Sequence, residues 1–181
     1  MIRGVPTVQN MTVLVTYGSK RGGTQGLAES IGAALRDAGH EVRVEPARAV
    51  RSLDGVTAAV VAGGLYANRW HRDARVFVAK HRKTLAGLPV WLVASGPLDE
   101  TADAGTIPPV PHVAQAAASV AARGEVTFGG YLAPDAKGFP ASAMAKNGKA
   151  GDWRNEDRIR AWAGEVHRAL TDAPADGAAG A

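Results

Sequence analysis

The chain has 181 residues, of which 46% are hydrophobic and 21% charged, with a formal net charge of +4, and this composition is typical of one globular domain. It contains no cysteine, so disulfides, thiolate metal sites, cysteine nucleophiles and CxxC redox chemistry are excluded, and any electron transfer needs a bound cofactor. Lys and Arg are scattered without interleaved aromatic residues, which favours a solvated basic surface over a nucleic-acid interface, so no nucleic-acid partner is expected.

Both ends of the chain differ from its middle. Residues 1–10 lack the apolar core of a signal peptide, and the longest apolar run, residues 56–67, is shorter than the about 20 residues that span a bilayer. We therefore expect a cytoplasmic protein without a transmembrane segment. Residues 1–10 are predicted to be an N-terminal extension, residues 11–171 one domain, and residues 172–181, which are small and polar, a disordered tail.

The first third of the chain alternates between strand and helix patterns. Residues 11–17 form a continuous β-branched apolar run, which is typical of a strand buried on both faces of a parallel sheet. From Thr24 the apolar residues follow a helical period until Gly39, and residues 41–47 alternate like a strand near a sheet edge. Residues 48–55 leave room for only a turn or two of a second helix.

The same alternation continues to the end of the domain. Residues 56–64, 88–96 and 125–132 are predicted strands, and residues 72–85, 110–123 and 152–170 are predicted helices. Because parallel strands need crossover connections, this order predicts a doubly wound α/β sandwich: a five-stranded parallel sheet with helices on both faces.

The turn "TYGSKRGGT", residues 16–24, joins the first strand to the first helix. In an open α/β sheet, ligands bind at the carboxyl ends of the strands, and the N-terminus of a helix there offers free N–H groups. Glycines, hydroxyls and two cations in such a turn suit a phosphate. Neither a Walker loop nor a GxGxxG dinucleotide fingerprint is present, which disfavours ATP, GTP and NAD.

The run "VTYGSKRGGTQGLAESI" resembles the flavodoxin signature, through Tyr17, Ser19, Gly22, Thr24, Ala28 and Ile31. The resemblance implies a flavodoxin-like domain with strand order 2-1-3-4-5, FMN as the cofactor, and a loop that wraps the FMN phosphate. That loop consists of Ser19, Lys20, Arg21, Gly22, Gly23 and Thr24.

Two further loops at strand ends are expected to meet the isoalloxazine ring of FMN. In the first, Tyr66 or Trp70 could stack on the ring, and Arg69 is a candidate cation near its N1–C2=O region. The second offers backbone groups to the pyrimidine edge. The predicted residues are Leu65, Tyr66, Ala67, Asn68, Arg69 and Trp70 in the first loop, and Ser95, Gly96, Pro97 and Leu98 in the second.

Other notable side chains look structural. His81 lies on the apolar side of its predicted helix, and Trp91 and Trp162 fall on predicted core positions. The five histidines show no ligand spacing, so no metal site is predicted.

The middle of the chain is similar to menaquinone-dependent protoporphyrinogen dehydrogenases, through Phe77-Val78, Lys80-His81, Leu85–Pro89 and Gly151–Trp153. This resemblance implies an FMN-dependent oxidoreductase that moves electrons or hydride between a small substrate and a quinone or other acceptor, with the substrate pocket formed by residues 65–71 and 97–110. Two alternatives stay open: an electron carrier that docks redox partner proteins, and a cofactor-free binding module. Oligomerisation also stays open.

Overall fold

The computed structural model describes residues 11–172, in which a parallel sheet lies between two layers of helices. The strands are β1 (Thr12–Gly18), β2 (Glu41–Pro46), β3 (Ala58–Tyr66), β4 (Arg69–Trp70), β5 (Val90–Ser95), β6 (Gly124–Phe128), β7 (Tyr131–Leu132) and β8 (Gly151–Asp152). The helices are α1 (Gly23–Asp37), α2 (Arg72–Leu85), α3 (Thr101–Ala104), α4 (Pro111–Val120), α5 (Ala141–Met144) and α6 (Glu156–Thr171).

The main sheet has the strand order β2-β1-β3-β5-β6, and all of these strands are parallel. This confirms the predicted fold, because β4 is only a short antiparallel addition to β3 and does not change the order of the five long strands. The strands β7 and β8 form a separate antiparallel pair. The carboxyl ends of β1, β3 and β5 therefore lie side by side at one edge.

Alternating side chains of the central strands build two cores. Val13 and Val15 of β1 pack in the cluster that contains α1 and α6, whereas Leu14 packs in the cluster that contains α2 and α4. Trp91 is buried in the first cluster and Trp162 packs against it half-buried, which agrees with their predicted structural role. The His81 ring lies 4.8 Å from the Phe77 ring on the same helix.

Three predicted elements differ from the structure. Residues 47–57 contain no helix, because Val50, Leu53 and Val56 pack directly into the core as the chain crosses. The predicted strand 125–132 is broken after Phe128: residues 131–132 pair with β8 instead, and at Gly129 the chain passes so close to Trp153 that a side chain would collide with its carbonyl. The predicted helix 152–170 starts only at Glu156: the side chain of Asn155 caps it by accepting the Arg158 N–H at 3.1 Å.

The predicted N-terminal extension and all but the first residue of the predicted tail lie outside the described residues. Within residues 11–172, no helix combines the length and the apolar character that crossing a bilayer requires.

Candidate functional site

The ends of β1, β3 and β5 border a cavity of about 440 Å³. Its volume falls within the range of pockets that hold a cofactor or a drug-sized ligand. Ten of the residues predicted from sequence line it: Lys20, Arg21, Gly23, Thr24, Leu65, Tyr66, Ala67, Ser95, Gly96 and Leu98. The structure thus brings together all three loops that the sequence singled out.

The loop before α1 is arranged to bind an anion. Gly22 adopts φ 82°, a left-handed conformation that glycine reaches without strain, and α1 begins at the next residue. The first N–H groups of a helix have no partner within it, and no acidic residue stands in the first turn of α1. The hydroxyl of Ser19 accepts the Gly22 N–H at 3.0 Å, so this side chain shapes the loop and does not line the cavity.

A tight hairpin replaces the open loop expected after β3. Ala67 and Asn68 both have positive φ, 47° and 57°, and they connect β3 directly to β4 as a two-residue turn. Ala67 lines the cavity, whereas Asn68 and Arg69 are exposed and lie outside its wall. The preference of Asn68 for positive φ is the one sequence signal that could have revealed the turn.

The expectation that Trp70 could stack on a ligand is wrong. Its side chain is only 1% exposed, and its indole N–H donates to the Val93 carbonyl oxygen at 3.1 Å inside the core. The ring also fills the space beside Gly63, where a Cβ atom would collide with it. Trp70 therefore packs under the hairpin in the core, and the aromatic residue of this segment that lines the cavity is Tyr66.

Pro97 has a structural role next to the cavity. Its carbonyl oxygen accepts the Gly130 N–H at 2.8 Å, which joins the loop after β5 to the chain beyond β6. Pro97 itself does not line the cavity, but its neighbours Gly96 and Leu98 do.

Sequence reasoning missed one wall of the cavity. The segment 133–150, which connects β7 to β8, folds over the cavity, and at the rim Lys149 lies 3.9 Å from Asp99. In contrast, Thr106 and Ile107 of the expected pocket segment 97–110 line a different depression beside β6. No local pattern marks this wall, because it depends on the pairing of β7 with β8. Asp99 belongs to the expected segment 97–110 and does line the cavity; the unpredicted lining residues are Gly64, Gly130, Tyr131, Leu132, Pro140, Ala141, Met144 and Lys149.

Arg154 fastens the first turn of α1 to the β7–β8 pair. Its guanidinium donates to the Gly23 carbonyl oxygen at 3.2 Å, forms an ion pair with Asp152 at 2.6 Å and lies 5.0 Å from the centre of the Tyr131 ring. A side chain at Gly26 would collide with it. The hydrogen bonds from Arg154 hold the pKa of Asp152 below its usual value.

Replacing this arginine gives a first testable prediction. We expect Arg154→Met to lower stability by about 1 kcal/mol, or a Tm decrease of about 2–4 °C, because the hydrogen bond to Gly23 is lost. The part of the difference that comes from ionised Asp152 is present in full above about pH 4 and disappears as the pH falls through its depressed pKa. Thermal melts of both proteins between about pH 2 and 7, at intervals of about 0.5 unit, measure this.

Arg160→Met is the matched control, because among residues 11–172 Arg160 pairs only with the exposed Asp157 on α6. We expect it to change Tm by less than about 1 °C. An Arg154 variant as stable as this control would mean that the contact with Gly23 contributes nothing to the first turn of α1.

Comparisons with known proteins agree with this architecture. Residues 14–134, more than half of the chain, match the family model described as Flavodoxin domain. A mutant of flavodoxin from Pseudomonas aeruginosa superposes with a TM-score of 0.59 at 19% identity, covering 89% of this chain and 99% of that one. A Streptococcus pneumoniae flavodoxin gives 0.53 at 19% identity, covering 89% and 98%.

A larger protein contains the same fold. The rubredoxin oxygen:oxidoreductase from Desulfovibrio gigas superposes with a TM-score of 0.60 at 14% identity, and the match covers 89% of this chain but 36% of that chain. At these identities the solved structures show similarity of fold alone. No curated protein matches the chain.

Proposed function

Because the chain belongs to the flavodoxin domain family and therefore binds FMN, we propose that it is an oxidoreductase acting on a small substrate in the cavity beneath segment 133–150. FMN supplies one- and two-electron transfer, which the side chains of a cysteine-free protein do not provide. The family assignment supports this over a cofactor-free binding module.

The residues of the cavity fit FMN. The glycine-rich turn, the start of α1 and the cations Lys20 and Arg21 form a donor set that suits a terminal phosphate without a metal ion. Gly64 keeps the space next to Thr24 open, since a Cβ atom there would lie 3.0 Å from the Thr24 hydroxyl. We assign the phosphate to this end of the cavity, and the ring to the space between Leu65, Ala67 and the loop after β5.

The covering segment carries the argument for an enzyme. Leu132, Pro140, Ala141 and Met144 give the cavity an apolar wall, and Lys149 and Asp99 stand at its rim. Such a wall lets only small molecules reach the cavity. An electron carrier, in contrast, needs an exposed cofactor edge to dock a protein. The resemblance to menaquinone-dependent protoporphyrinogen dehydrogenases supports a reduced porphyrin as the substrate and a quinone as the acceptor.

An electron carrier is the second candidate. Asn68 and Arg69 are exposed beside the cavity and could contact a redox partner protein. The match to the Pseudomonas aeruginosa flavodoxin also covers 99% of that chain, so this fold corresponds to a flavodoxin in full.

Anaerobic mixing distinguishes the two candidates. The FMN-loaded protein is mixed with protoporphyrinogen, and the loss of flavin absorbance and the gain of porphyrin fluorescence are followed, first without an acceptor and then with menaquinone. Because conversion of protoporphyrinogen to protoporphyrin releases six electrons and each FMN accepts two, we expect at most one porphyrin per three FMN without the acceptor, and turnover with it. If protoporphyrinogen and other small donors fail while a flavoprotein reductase reduces the FMN rapidly, the carrier is supported instead.

A substitution in the wall gives the second testable prediction. We expect Met144→Trp to lower the rate constant for reduction by a small donor about tenfold, with FMN affinity unchanged, because the larger side chain narrows the cavity at a partly exposed position. Stopped-flow reduction at several donor concentrations measures the rate constant.

The matched control is Val76→Trp, which places the same side chain at an exposed position on α2 outside the cavity wall. We expect it to behave like the unmodified protein. Unchanged reduction in the Met144 variant would contradict a substrate site beneath segment 133–150.

A further inference from the structure

The side chain of Tyr66 turns back along β3 towards the loop before α1. A Cβ atom at Gly64 would lie 2.9 Å from the Tyr66 Cε2 atom and 3.0 Å from its hydroxyl oxygen, so the absence of a side chain there makes room for the ring. The His71 ring packs against the Tyr66 ring edge-on, with 5.8 Å between the centroids. The hydroxyl of Tyr66 is thereby positioned at the loop, away from the hairpin turn.

The hydroxyl of Tyr66 has one hydrogen bond and one unused hydrogen. Its oxygen accepts the backbone N–H of Lys20 at 3.0 Å. Within residues 11–172 the structure gives the hydroxyl hydrogen no acceptor. The Thr24 hydroxyl oxygen lies 3.0 Å from the same Gly64 Cβ position, so both hydroxyls border one space in the cavity.

The surroundings of this space are positively charged. Lys20 and Arg21 line the cavity next to Tyr66, and the guanidinium of Arg21 is held by the Lys137 carbonyl oxygen at 3.1 Å. Burial raises the pKa of Tyr66, and the hydrogen bond from Lys20 and the charge of Arg21 only partly oppose this, so the hydroxyl keeps its hydrogen at neutral pH. A protonated hydroxyl beside two cations can donate a hydrogen bond to an anion.

We propose that Tyr66 is a ligand of the FMN phosphate: its hydroxyl accepts the Lys20 N–H and donates its own hydrogen to a phosphate oxygen. This assigns to β3 a contact with the phosphate, in place of the ring stacking that the sequence suggested for Tyr66. The proposal rests on FMN as the cofactor and is independent of the proposed substrate.

Two flavins that share a ring system test this directly. FMN carries the phosphate and riboflavin lacks it, so we expect Tyr66→Phe to raise the Kd for FMN about tenfold or more and to leave that for riboflavin within about twofold. Fluorescence titrations give both constants. Thermal melts of the cofactor-free protein in inorganic phosphate provide a second readout, in which the variant should show a smaller phosphate-dependent rise in Tm than the unmodified protein.

Tyr17→Phe is the matched control, because Tyr17 is partly buried against the core cluster that contains α1 and does not line the cavity. It should bind both flavins as the unmodified protein does. If Tyr66→Phe lowers the affinity for FMN and for riboflavin equally, Tyr66 contacts the ring. If the variant binds FMN more tightly, the Tyr66 hydroxyl competes with the phosphate for the loop. Either result, or no change, overturns the proposal. As long as the unmodified protein binds FMN, these outcomes contradict only the role of Tyr66 and not the assignment of FMN as the cofactor.

Discussion

Gly64→Val is expected to raise the Kd for FMN at least about a hundredfold, which corresponds to about 2.7 kcal/mol, while the fold is retained. Gly64 lies near the end of β3, where a Cβ atom would already contact Tyr66 and the Thr24 hydroxyl at 2.9–3.0 Å. The two methyl groups of valine would then occupy the space next to Thr24 that we assign to the cofactor. Valine is favoured in strands, so the backbone of β3 should accept it.

Isothermal titration with FMN measures the loss, and a circular dichroism spectrum with a thermal melt checks the fold. The control is Gly164→Val on α6, where a Cβ atom would meet nothing within 4 Å. It should bind FMN normally and change the stability by less than about 1 kcal/mol, because valine is no worse a helix former than glycine. If Gly64→Val binds FMN as tightly as this control does, the cofactor lies away from Gly64 and the assigned phosphate end of the cavity is wrong.

The order of strands and helices could be predicted from sequence, because a buried parallel strand is a continuous apolar run and an amphipathic helix has a periodic apolar pattern. The run around Val15, the helix after Thr24 and the helix that ends at Leu85 carry such patterns over many residues. The loop of residues 19–24 could be predicted for another reason. Its glycines, hydroxyls and cations are neighbours in the sequence, and the fold places them together at the end of a strand.

The remaining parts of the site depend on contacts between distant residues. Segment 133–150 covers the cavity because β7 pairs with β8, and next to this pair Gly129 approaches the backbone of Trp153 too closely for a side chain. Tyr66 and Trp70 are both aromatic residues near the same turn, and composition cannot tell which one is buried. The pairing of Leu65 with Trp70 across the hairpin decides it, since it directs the indole into the core.

Trp70→Ala is therefore expected to act mainly on folding, and on the cofactor only indirectly through the hairpin. The indole is 1% exposed, belongs to the core cluster under α2 and α4, and donates to the Val93 carbonyl oxygen at 3.1 Å. Truncating such a side chain leaves a cavity and a buried carbonyl without its partner, at a cost of about 3–5 kcal/mol. For a chain of this length the Tm should fall by about 10 °C.

Thermal melts with and without FMN test the two roles together. Since FMN binds the folded state, saturating FMN should still raise the Tm of the Trp70 variant, although the looser hairpin weakens binding. Trp162→Ala, which removes a half-buried indole from α6, should lose less stability than Trp70→Ala. A Trp70 variant that keeps its Tm but no longer responds to FMN would place the indole in contact with the cofactor, contrary to its position in the core.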